Sequence, residues 1–304
     1  MTYTQTYYAK KKAQELGVTL EEYLKRKNMG ESIQSSPSIP PPVINFEKVA
    51  KLRDLNINDG MLSQKKTGLV IDKLFSYEGG IPVGTNIMCT GDPGVGKTTL
   101  LLHTLACLQM ANPEIKCLFI SAEMSKIQMF KYTKRFPVFG NVDTIFTSDY
   151  MDFNTKDVIE QLLHKGYDYV LVDSIVEVLG AIKEDAGMSQ SEAEKWLIDL
   201  TVGHNEGRND RGCYSSFLLI QQVTKAGVFV GSNKMKHITD AHLEMKREGE
   251  REGGGTYLMF TKNRNGQAGM KFSYQLSNND IYYGVLVSED NEGEGKEFSL
   301  SEQE

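Results

Sequence analysis

The sequence Gly91-Asp92-Pro93-Gly94-Val95-Gly96-Lys97-Thr98 matches the phosphate-loop pattern G-x-x-x-x-G-K-S/T at every fixed position. Residues 86–90, which precede it, are mostly apolar and predict a short buried strand. Residues 99–110, which follow it, are rich in leucine and alanine and predict a helix. Because a phosphate loop lies between a strand and a helix, this order favours a phosphate loop over an ordinary glycine turn.

The chemistry expected of this loop is phosphate binding. Its glycines allow backbone N–H groups to close around phosphate oxygens, and the N-terminus of the following helix faces the anion. We expect Lys97 to reach the β- and γ-phosphates of ATP and the Thr98 hydroxyl to ligate Mg²⁺. The predicted ATP-binding residues are Gly91, Asp92, Pro93, Gly94, Val95, Gly96, Lys97, Thr98 and Thr99.

The 304 residues are enough for one large domain or two small ones. Hydrophobic residues make up 40% of the chain, yet no apolar run approaches the length of a membrane span, and residues 1–12 lack the apolar segment of a secretory signal. The absence of a C-x-x-C pair argues against a zinc site and a disulfide framework, and favours a reducing, cytoplasmic compartment. The cysteines are Cys89, Cys107, Cys117 and Cys213. With a net charge of −6, any nucleic-acid site must be local.

Composition along the chain predicts three regions. Residues 1–42 predict a helical arm and a proline-rich linker, with a helix start in the capping-box pattern from Thr19 to Glu22. The arm either docks on a neighbouring subunit or stays a solvated pair of helices. Residues 43–287 predict the main domain. Residues 288–304, with seven acidic residues and one lysine, predict a disordered tail. The arm or the tail could recruit replication or recombination proteins.

Between residues 86 and 220, strand-like runs alternate with helical patterns, which predicts an α/β fold with a mostly parallel sheet and helices on both faces. The predicted strands are 86–90, 117–121, 143–147, 169–172 and 216–220, and the predicted helices are 99–110, 125–136, 155–165 and 189–201. From residue 241 onward, strand-like segments joined by glycine or asparagine turns predict antiparallel hairpins that extend one side of the sheet. These segments are 241–246, 256–261, 270–275 and 282–287.

Three polar side chains end predicted strands of this sheet. Asp173 ends an apolar strand downstream of the phosphate loop, a Walker B pattern in which a carboxylate holds Mg²⁺ near Thr98. Glu123 ends the strand after the loop helix, and because the carboxyl ends of parallel strands converge, it could orient or deprotonate a water beside the γ-phosphate. Otherwise Glu123 is a helix-start glutamate stabilised by the helix dipole. Gln222 could sense the γ-phosphate through a neutral hydrogen bond.

Residues 223–239 predict a flexible loop with three lysines and no acidic residue. Lys225, Lys234 and Lys236 suit contacts to the phosphate backbone of single-stranded DNA, which read no base sequence. Phe229 could stack on a base. The alternative is an ordinary surface loop whose lysines are solvated.

Two cations, Lys262 and Arg264, close the predicted strand 256–261. They could stabilise charge on a transferring phosphoryl group, and an arginine supplied across a subunit boundary is one known arrangement. Composition alone does not assign that role.

Residues from about 67 to 287 resemble the RecA-fold ATPases, and among them the bacterial RadA (Sms) branch-migration proteins and the DnaB-type replicative helicases. The matching segments are Gly91 to Thr98, Glu123 after its strand, Asp173, Gln222-Val223-Thr224-Lys225-Ala226-Gly227 and Lys262-Asn263-Arg264-Asn265-Gly266. The resemblance implies a RecA-like P-loop core, ATPase activity with ATP and Mg²⁺, and a homo-oligomer such as a hexameric ring.

The resemblance also implies roles for single residues. Glu123 would be the catalytic base, and Lys262 and Arg264 would reach the nucleotide of the adjacent subunit. The loops near residues 177–190 and 223–239 would face single-stranded DNA in the channel of the ring. The predicted catalytic set is Glu123, Lys97, Gln222, Lys262 and Arg264.

The sequence departs from RadA in four ways. No four-cysteine zinc finger and no protease-like domain match these residues, Asn265 replaces a phenylalanine, and Gln222 stands where RadA commonly has histidine. These departures predict an ATPase core that lacks the further RadA domains and has a different arm, as expected of a phage-encoded replication or recombination protein.

The leading hypothesis is an ATP-driven ring motor that moves on single-stranded DNA, as a helicase or a branch-migration translocase, in replication or recombination. One alternative is a RecA-like, filament-forming strand-exchange recombinase. The other is a KaiC-like regulatory ATPase that binds proteins and not DNA.

Overall fold

The computed structural model describes residues 19–28, 51–54, 57–222, 239–247 and 255–287, together with residues 13, 49 and 235. Contacts divide the chain into two units, residues 1–56 and residues 57–304. In the first unit, helix α1 (Leu20–Asn28) begins where the capping pattern predicts, because the Glu22 backbone N–H donates to Thr19 Oγ1 at 3.2 Å. The division into residues 1–42, 43–287 and 288–304 stays a prediction, and its last region lies outside the described residues.

The second unit is built on strands whose bounds, within the described residues, are β1 (Gln64–Lys65), β2 (Ile81–Pro82), β3 (Asn86–Gly91), β4 (Cys117–Ser121), β5 (Asp143–Phe146), β6 (Tyr169–Asp173), β7 (Ser216–Ile220), β8 (Ala241–Arg247), β9 (Thr256–Asn263), β10 (Lys271–Leu276) and β11 (Ile281–Val287). The main sheet has the order β11-β10-β9-β8-β3-β7-β6-β4-β5. The strands from β8 to β5 in that order are parallel, whereas β9, β10 and β11 continue the sheet antiparallel. Strands β1 and β2 form a separate antiparallel pair.

Helices cover both faces of the main sheet. Their bounds are α2 (Asp72–Phe75), α3 (Lys97–Ala111), α4 (Lys126–Arg135), α5 (Thr155–His164), α6 (Ile175–Ala186) and α7 (Gln190–Asn205), and short 3-10 turns include Pro137–Asn141 and Thr147–Tyr150. Phe119 of β4 packs in one apolar cluster with α3 and α4, and the next residue, Ile120, packs in a second cluster with α5, α6 and α7. Because successive side chains of a strand point to opposite faces, the sheet is buried on both sides. Among the described helices, none combines the length and the apolar character needed to cross a bilayer.

The α/β fold predicted from the sequence is confirmed, including the antiparallel hairpins at the C-terminal side. The prediction did not contain the second pairing of β8, which runs parallel to β3 from Ile87 opposite Ala241 to Gly91 opposite Met245. Four residues of β8 are buried even though histidine, glutamate and lysine interrupt its apolar pattern. The glycine-rich sequence after β8 predicts a hairpin with β9, but nothing in the local pattern predicts the pairing with β3.

The expectation of a loop at residues 177–190 is wrong for most of that segment. Helix α6 extends to Ala186, and only residues 187–189 separate it from α7. Val178, Leu179 and Ile182 lie at helical spacing and are buried in the second cluster, so burial of an apolar face stabilises the helix. That this segment faces DNA stays a prediction.

The helix at this position can be tested with Gly180, which lies inside α6. A Cβ atom added there meets no other atom within 4 Å, so Gly180→Ala should stabilise the protein by about 0.5–1 kcal/mol, the usual gain in a helix interior. Urea unfolding measures the change. If the variant is no more stable than the wild type, the helix does not form in solution.

The matched control is Gly91→Ala. Its Cβ would stand 2.2 Å from the Met245 carbonyl oxygen, where β8 passes close to β3. One of the two strands would have to move, so this variant should lose more than about 1 kcal/mol of stability.

Candidate functional site

The phosphate loop connects the carboxyl end of β3 to the start of α3. Two of its glycines have left-handed backbone angles, Gly94 with φ 76° and Gly96 with φ 97°, and Gly96 is the N-cap of α3. A Cβ on Gly96 would stand 2.2 Å from Leu276 Cδ1, because β10 packs beneath the loop. The left-handed backbone angle therefore favours glycine at Gly96, and a larger residue would also displace the Leu276 side chain.

Lys97 folds back over the loop that precedes it. Its Nζ donates to the carbonyl oxygens of Gly91 at 2.8 Å and Asp92 at 3.1 Å. The ammonium thus lies within the curve of the loop, beside the backbone groups that are predicted to surround phosphate oxygens.

A buried tyrosine supports the loop from below, and no sequence pattern predicted it. Tyr274 of β10 donates its phenol O–H to the Val95 carbonyl oxygen at 2.7 Å. Burial raises the pKa of Tyr274, so the phenol keeps its proton and stays a donor. An aromatic residue in an apolar strand pattern predicts core packing, and only the fold shows that its hydroxyl reaches the loop.

Thr98 and Asp173 form the closest polar contact of the site. The Thr98 hydroxyl donates to Asp173 Oδ2 at 2.5 Å and so joins the first turn of α3 to the end of β6. Asp173 is only 2% exposed. Burial, followed by the charge of Glu123, raises the pKa of Asp173 to about 6, and the Thr98 hydrogen bond and Lys97 oppose that shift.

This pair fits the Mg²⁺ site predicted from the sequence. A hydroxyl and a carboxylate are the hard oxygen donors that Mg²⁺ prefers, and Mg²⁺ takes few protein ligands because phosphates and waters complete its shell. Among the described residues, no cluster of three or more histidine, cysteine, aspartate or glutamate side chains could hold a metal alone. The donor set therefore suits Mg²⁺ bound together with a nucleotide.

Glu123 and Gln222 meet at the same edge of the sheet. They follow β4 and β7, the two strands that flank β6, and Gln222 Nε2 donates to Glu123 Oε2 at 3.2 Å. The Glu123 side chain is exposed, unlike that of Asp173. The structure thus brings Lys97, Thr98, Asp173, Glu123 and Gln222 to the carboxyl edge of the parallel strands.

Lys262 and Arg264 lie at the opposite edge. Asn263 pairs with Ala241, which is level with Ile87, whereas Gly91 is level with Met245. At about 3.3 Å per residue, these four residues separate the end of β9 from the phosphate loop by about 13 Å along the strands, besides the two strand spacings across the sheet. The two cations do not reach the phosphate loop of their own chain.

Within the described part of the chain, the two cations contact a backbone carbonyl group and a carboxylate. Lys262 Nζ donates to the Thr239 carbonyl oxygen, and Arg264 forms an ion pair with Asp240 Oδ1 at 3.1 Å. Burial and then the neighbouring Arg264 charge lower the pKa of Lys262. The Arg264 side chain is more than half exposed, so its guanidinium is accessible to another molecule.

A second residue that the sequence did not single out as functional is His242 of β8. It is buried between the hydroxyls of Thr90, at 2.8 Å from Nε2, and Thr261, at 3.0 Å from Nδ1. Thr90 directly precedes the phosphate loop and Thr261 directly precedes Lys262. The histidine thus links the two strands whose ends carry the two groups of predicted residues.

Lys225, Phe229, Lys234 and Lys236 lie outside the described residues, and their role stays a prediction. Met235 is described and is buried in the second apolar cluster.

No protein-family model matches the chain. Curated proteins do, and several bear the name DNA repair protein RadA. That of Listeria monocytogenes is 31% identical over 188 residues, 62% of this chain and 38% of the relative. That of Mycobacterium tuberculosis H37Rv is 29% identical over 206 residues, 67% and 40% of the two chains. That of Aquifex aeolicus is 26% identical over 237 residues, 78% and 47%. The chain spans less than half the length of these relatives.

Among solved structures, the KaiC-like protein PH0186 of Pyrococcus horikoshii OT3 matches with a TM-score of 0.57 and 16% sequence identity, over 74% of this chain and 100% of that protein. At that identity the likeness concerns the fold alone. The similarity to RadA and this fold together support a RecA-fold ATPase core, as the sequence predicted. The phage origin and the lack of the further RadA domains stay hypotheses.

The buried charge of Asp173 leads to a stability prediction. The pKa of Asp173 is about 6 in the folded chain and 3.8 for a fully solvated aspartate, so above pH 6 the ionised carboxylate destabilises the fold. Asp173→Asn removes that charge and keeps an acceptor for Thr98, so it should stabilise the nucleotide-free protein by about 1–3 kcal/mol at pH 8.

The pH dependence of the stability difference between Asp173→Asn and the wild type provides the control. Between the two pKa values the folded state binds more protons than the unfolded state, so the advantage of Asp173→Asn should fall by about half at pH 5. Urea unfolding of both proteins at the two pH values measures it. An equal or lower stability of the variant at pH 8 contradicts the burial argument.

Proposed function

We propose that this chain is an ATPase that assembles into a ring, a hexamer by resemblance to DnaB-type helicases, and moves along single-stranded DNA in replication or recombination. The observation that carries the proposal is the division of the predicted catalytic residues between two edges of one sheet. Glu123 and Gln222 lie at the edge of the phosphate loop, whereas Lys262 and Arg264 lie at the other. One copy therefore carries two halves of a site that it cannot join.

The first half would bind the nucleotide. Lys97, held over the loop by two carbonyl oxygens, would neutralise charge on the β- and γ-phosphates. Thr98 and Asp173 would hold Mg²⁺, which when bound offsets charge on the phosphate oxygens. Tyr274 would keep the loop in shape through the Val95 carbonyl group.

Glu123 is the proposed base. Its exposed carboxylate is within reach of water, and the Gln222 amide holds it at the edge where the other site residues meet. Gln222 directly precedes residues 223–239. The Gln222–Glu123 hydrogen bond would therefore connect the state of the nucleotide to the segment predicted to contact DNA.

The second half would act on the nucleotide of a neighbouring copy. The guanidinium of Arg264 is exposed, and it would stabilise the charge that develops on the γ-phosphate in the transition state more than in the ground state. Lys262 would assist from the adjacent position on the same strand end. Assembly would then be a condition for hydrolysis.

The similarity to proteins named DNA repair protein RadA supports DNA as the partner. A filament-forming recombinase would use the same two halves, so particle shape with ATP and single-stranded DNA separates ring from filament. A KaiC-like regulatory ATPase would show no stimulation of ATP hydrolysis by DNA. The likeness to a KaiC-like structure does not favour that alternative, since it concerns the fold alone.

Mixing two inactive variants tests action between subunits. Arg264→Ala should bind ATP at its own loop but hydrolyse it at least about 10³-fold more slowly, because the proposed contribution is made in the transition state. Lys97→Ala should lose nucleotide affinity and keep an intact Arg264. Co-assembled, the two variants form junctions with one intact half from each, so steady-state ATP hydrolysis should partly return.

Two outcomes would contradict action between subunits. One is a mixture that stays inactive although native mass spectrometry shows mixed assemblies. The other is a wild-type monomer, at high dilution, that hydrolyses ATP as fast per subunit as the assembly does.

The predicted DNA segment is tested through salt. Replacing Lys225, Lys234 and Lys236 with alanine should weaken binding to single strands of any sequence and lower the slope of log affinity against log salt by up to about 2. Fluorescence anisotropy over a salt series measures both. The matched control replaces three exposed lysines elsewhere, Lys116, Lys165 and Lys195. If the two triple variants have equal slopes, the lysines of residues 223–239 are solvated and do not contact DNA.

A further inference from the structure

Helix α4, which begins three residues after Glu123, leaves large apolar side chains in solvent. Ile127 is 72% exposed and Phe130 is 62% exposed. The turn after β5 also exposes Tyr150, Met151 and Phe153, of which Met151 is 80% exposed. An ion pair of 2.7 Å between Lys126 and Asp149 ties the start of α4 to that turn. These five apolar side chains are called the α4 patch.

The α4 patch is apolar and is bordered by the cations of α4, and its turn also carries Asp149 and Asp152. Lys126, Lys131, Lys134 and Arg135 all belong to α4, which contains no acidic residue. Lys134 Nζ lies 5.1 Å from the centre of the Phe130 ring, so a cation borders the main aromatic side chain. Exposed apolar surface of this kind usually marks an interaction site, and its charge favours an acidic partner surface.

The opposite edge of the sheet carries a matching feature next to Arg264. Residues 76–80, called the Tyr77 loop, follow α2, and Tyr77 is 80% exposed. The Tyr77 backbone N–H donates to the Asn265 carbonyl oxygen at 3.0 Å, and Asn263 Nδ2 donates to the Phe75 carbonyl oxygen at 3.2 Å. The loop is thus fixed beside the end of β9. Glu78, also exposed, adds a negative charge next to Tyr77.

Each half of the divided site therefore has its own exposed apolar surface. The α4 patch adjoins Glu123 in sequence, and the Tyr77 loop contacts the turn that follows Arg264. The two surfaces carry groups of opposite charge, the cations of α4 on one side and the Glu78 carboxylate on the other. Aromatic side chains at the centre of a contact are typical of the residues that dominate interface energies.

We propose that the Tyr77 loop of one copy docks on the α4 patch of the next copy, with Tyr77 against Phe130 and Glu78 near the α4 cations. This contact deepens the proposed function and rests on it, because it would bring Arg264 of one copy toward Glu123 of its neighbour. The two surfaces are different parts of the chain, so the contact is head-to-tail. A head-to-tail contact propagates into a ring or a helical filament and never closes as a simple two-fold dimer.

Single charge substitutions on the two surfaces test the contact. Phe130→Glu and Tyr77→Glu should each raise the concentration needed for assembly by at least about 30-fold, as expected for an aromatic interface anchor. Mass photometry with Mg²⁺ and a non-hydrolysable ATP analogue measures assembly. Tyr282→Glu is the matched control, because Tyr282 is 58% exposed on β11, at the other end of the sheet from α4.

A mixture of Phe130→Glu and Tyr77→Glu tests the head-to-tail contact most directly. Phe130→Glu keeps its Tyr77 loop, and Tyr77→Glu keeps its α4 patch, so the mixture has one good junction per pair. It should form one-to-one dimers and nothing larger. Thermal unfolding and binding of a fluorescent ATP analogue check that each variant folds, and Phe130→Ala and Tyr77→Ala should shift assembly in the same direction by less.

Several results overturn the docking contact. If the α4 patch pairs with itself, Phe130→Glu abolishes assembly and Tyr77→Glu leaves it intact. If another protein or DNA covers the patch, both variants assemble like the wild type. A wild type that stays monomeric at tens of micromolar also rejects the contact. Assembly that depends on both residues without any ATP hydrolysis would instead uphold the contact and reject the proposed ATPase.

Discussion

The reversal of strand direction between β8 and β9 constrains the whole site. Parallel strands bring every strand end to one edge, so the residues that follow β3, β4, β6 and β7 meet there. Strand β9 runs the other way and delivers Lys262 and Arg264 to the opposite edge. No side-chain rotation can cancel a separation of about four strand residues and two strand spacings. If Lys262 and Arg264 act on the nucleotide as proposed, the requirement for a second copy follows from topology and not from loop conformation.

The burial of Asp173 at the carboxyl edge of the parallel strands lowers the stability of the fold. An ionised carboxylate that is 2% exposed is disfavoured by burial, and its pKa rises accordingly. The chain keeps it beside a hydroxyl and near Lys97, two groups that offset part of the penalty. A site that holds a cation benefits from a carboxylate that solvent does not already stabilise. Local destabilisation is common at functional sites, and the surrounding core supplies the stability that compensates for it.

How much the sequence could predict depends on whether a pattern is local. The order of strand, glycine loop and helix around Lys97 is local, and it predicts β3 and α3 nearly to the residue. Asp173 could be found in the same way, because it ends an apolar run. The parallel partner of β8 could not, since no local signal distinguishes β3 from another neighbour. The hydroxyl of Tyr274 and the two threonine contacts of His242 were hidden for the same reason: each depends on a residue far along the chain. The loop expected at residues 177–190 came from resemblance, and the buried spacing of Val178 and Ile182 overrode it.

A divided site also has a consequence for control. If a guanidinium that acts only in the transition state comes from the next copy, an isolated subunit can hold ATP without consuming it. The rate of hydrolysis then follows the fraction of subunits that have a neighbour, and so it follows concentration and any track that gathers copies together. The exposure of Phe130 and Tyr77 agrees with this dependence, because a reversible interface leaves its central side chains in solvent when no neighbour is bound. In this arrangement, aromatic side chains that are exposed in one subunit become buried only when a neighbour binds, and hydrolysis of ATP depends on that binding.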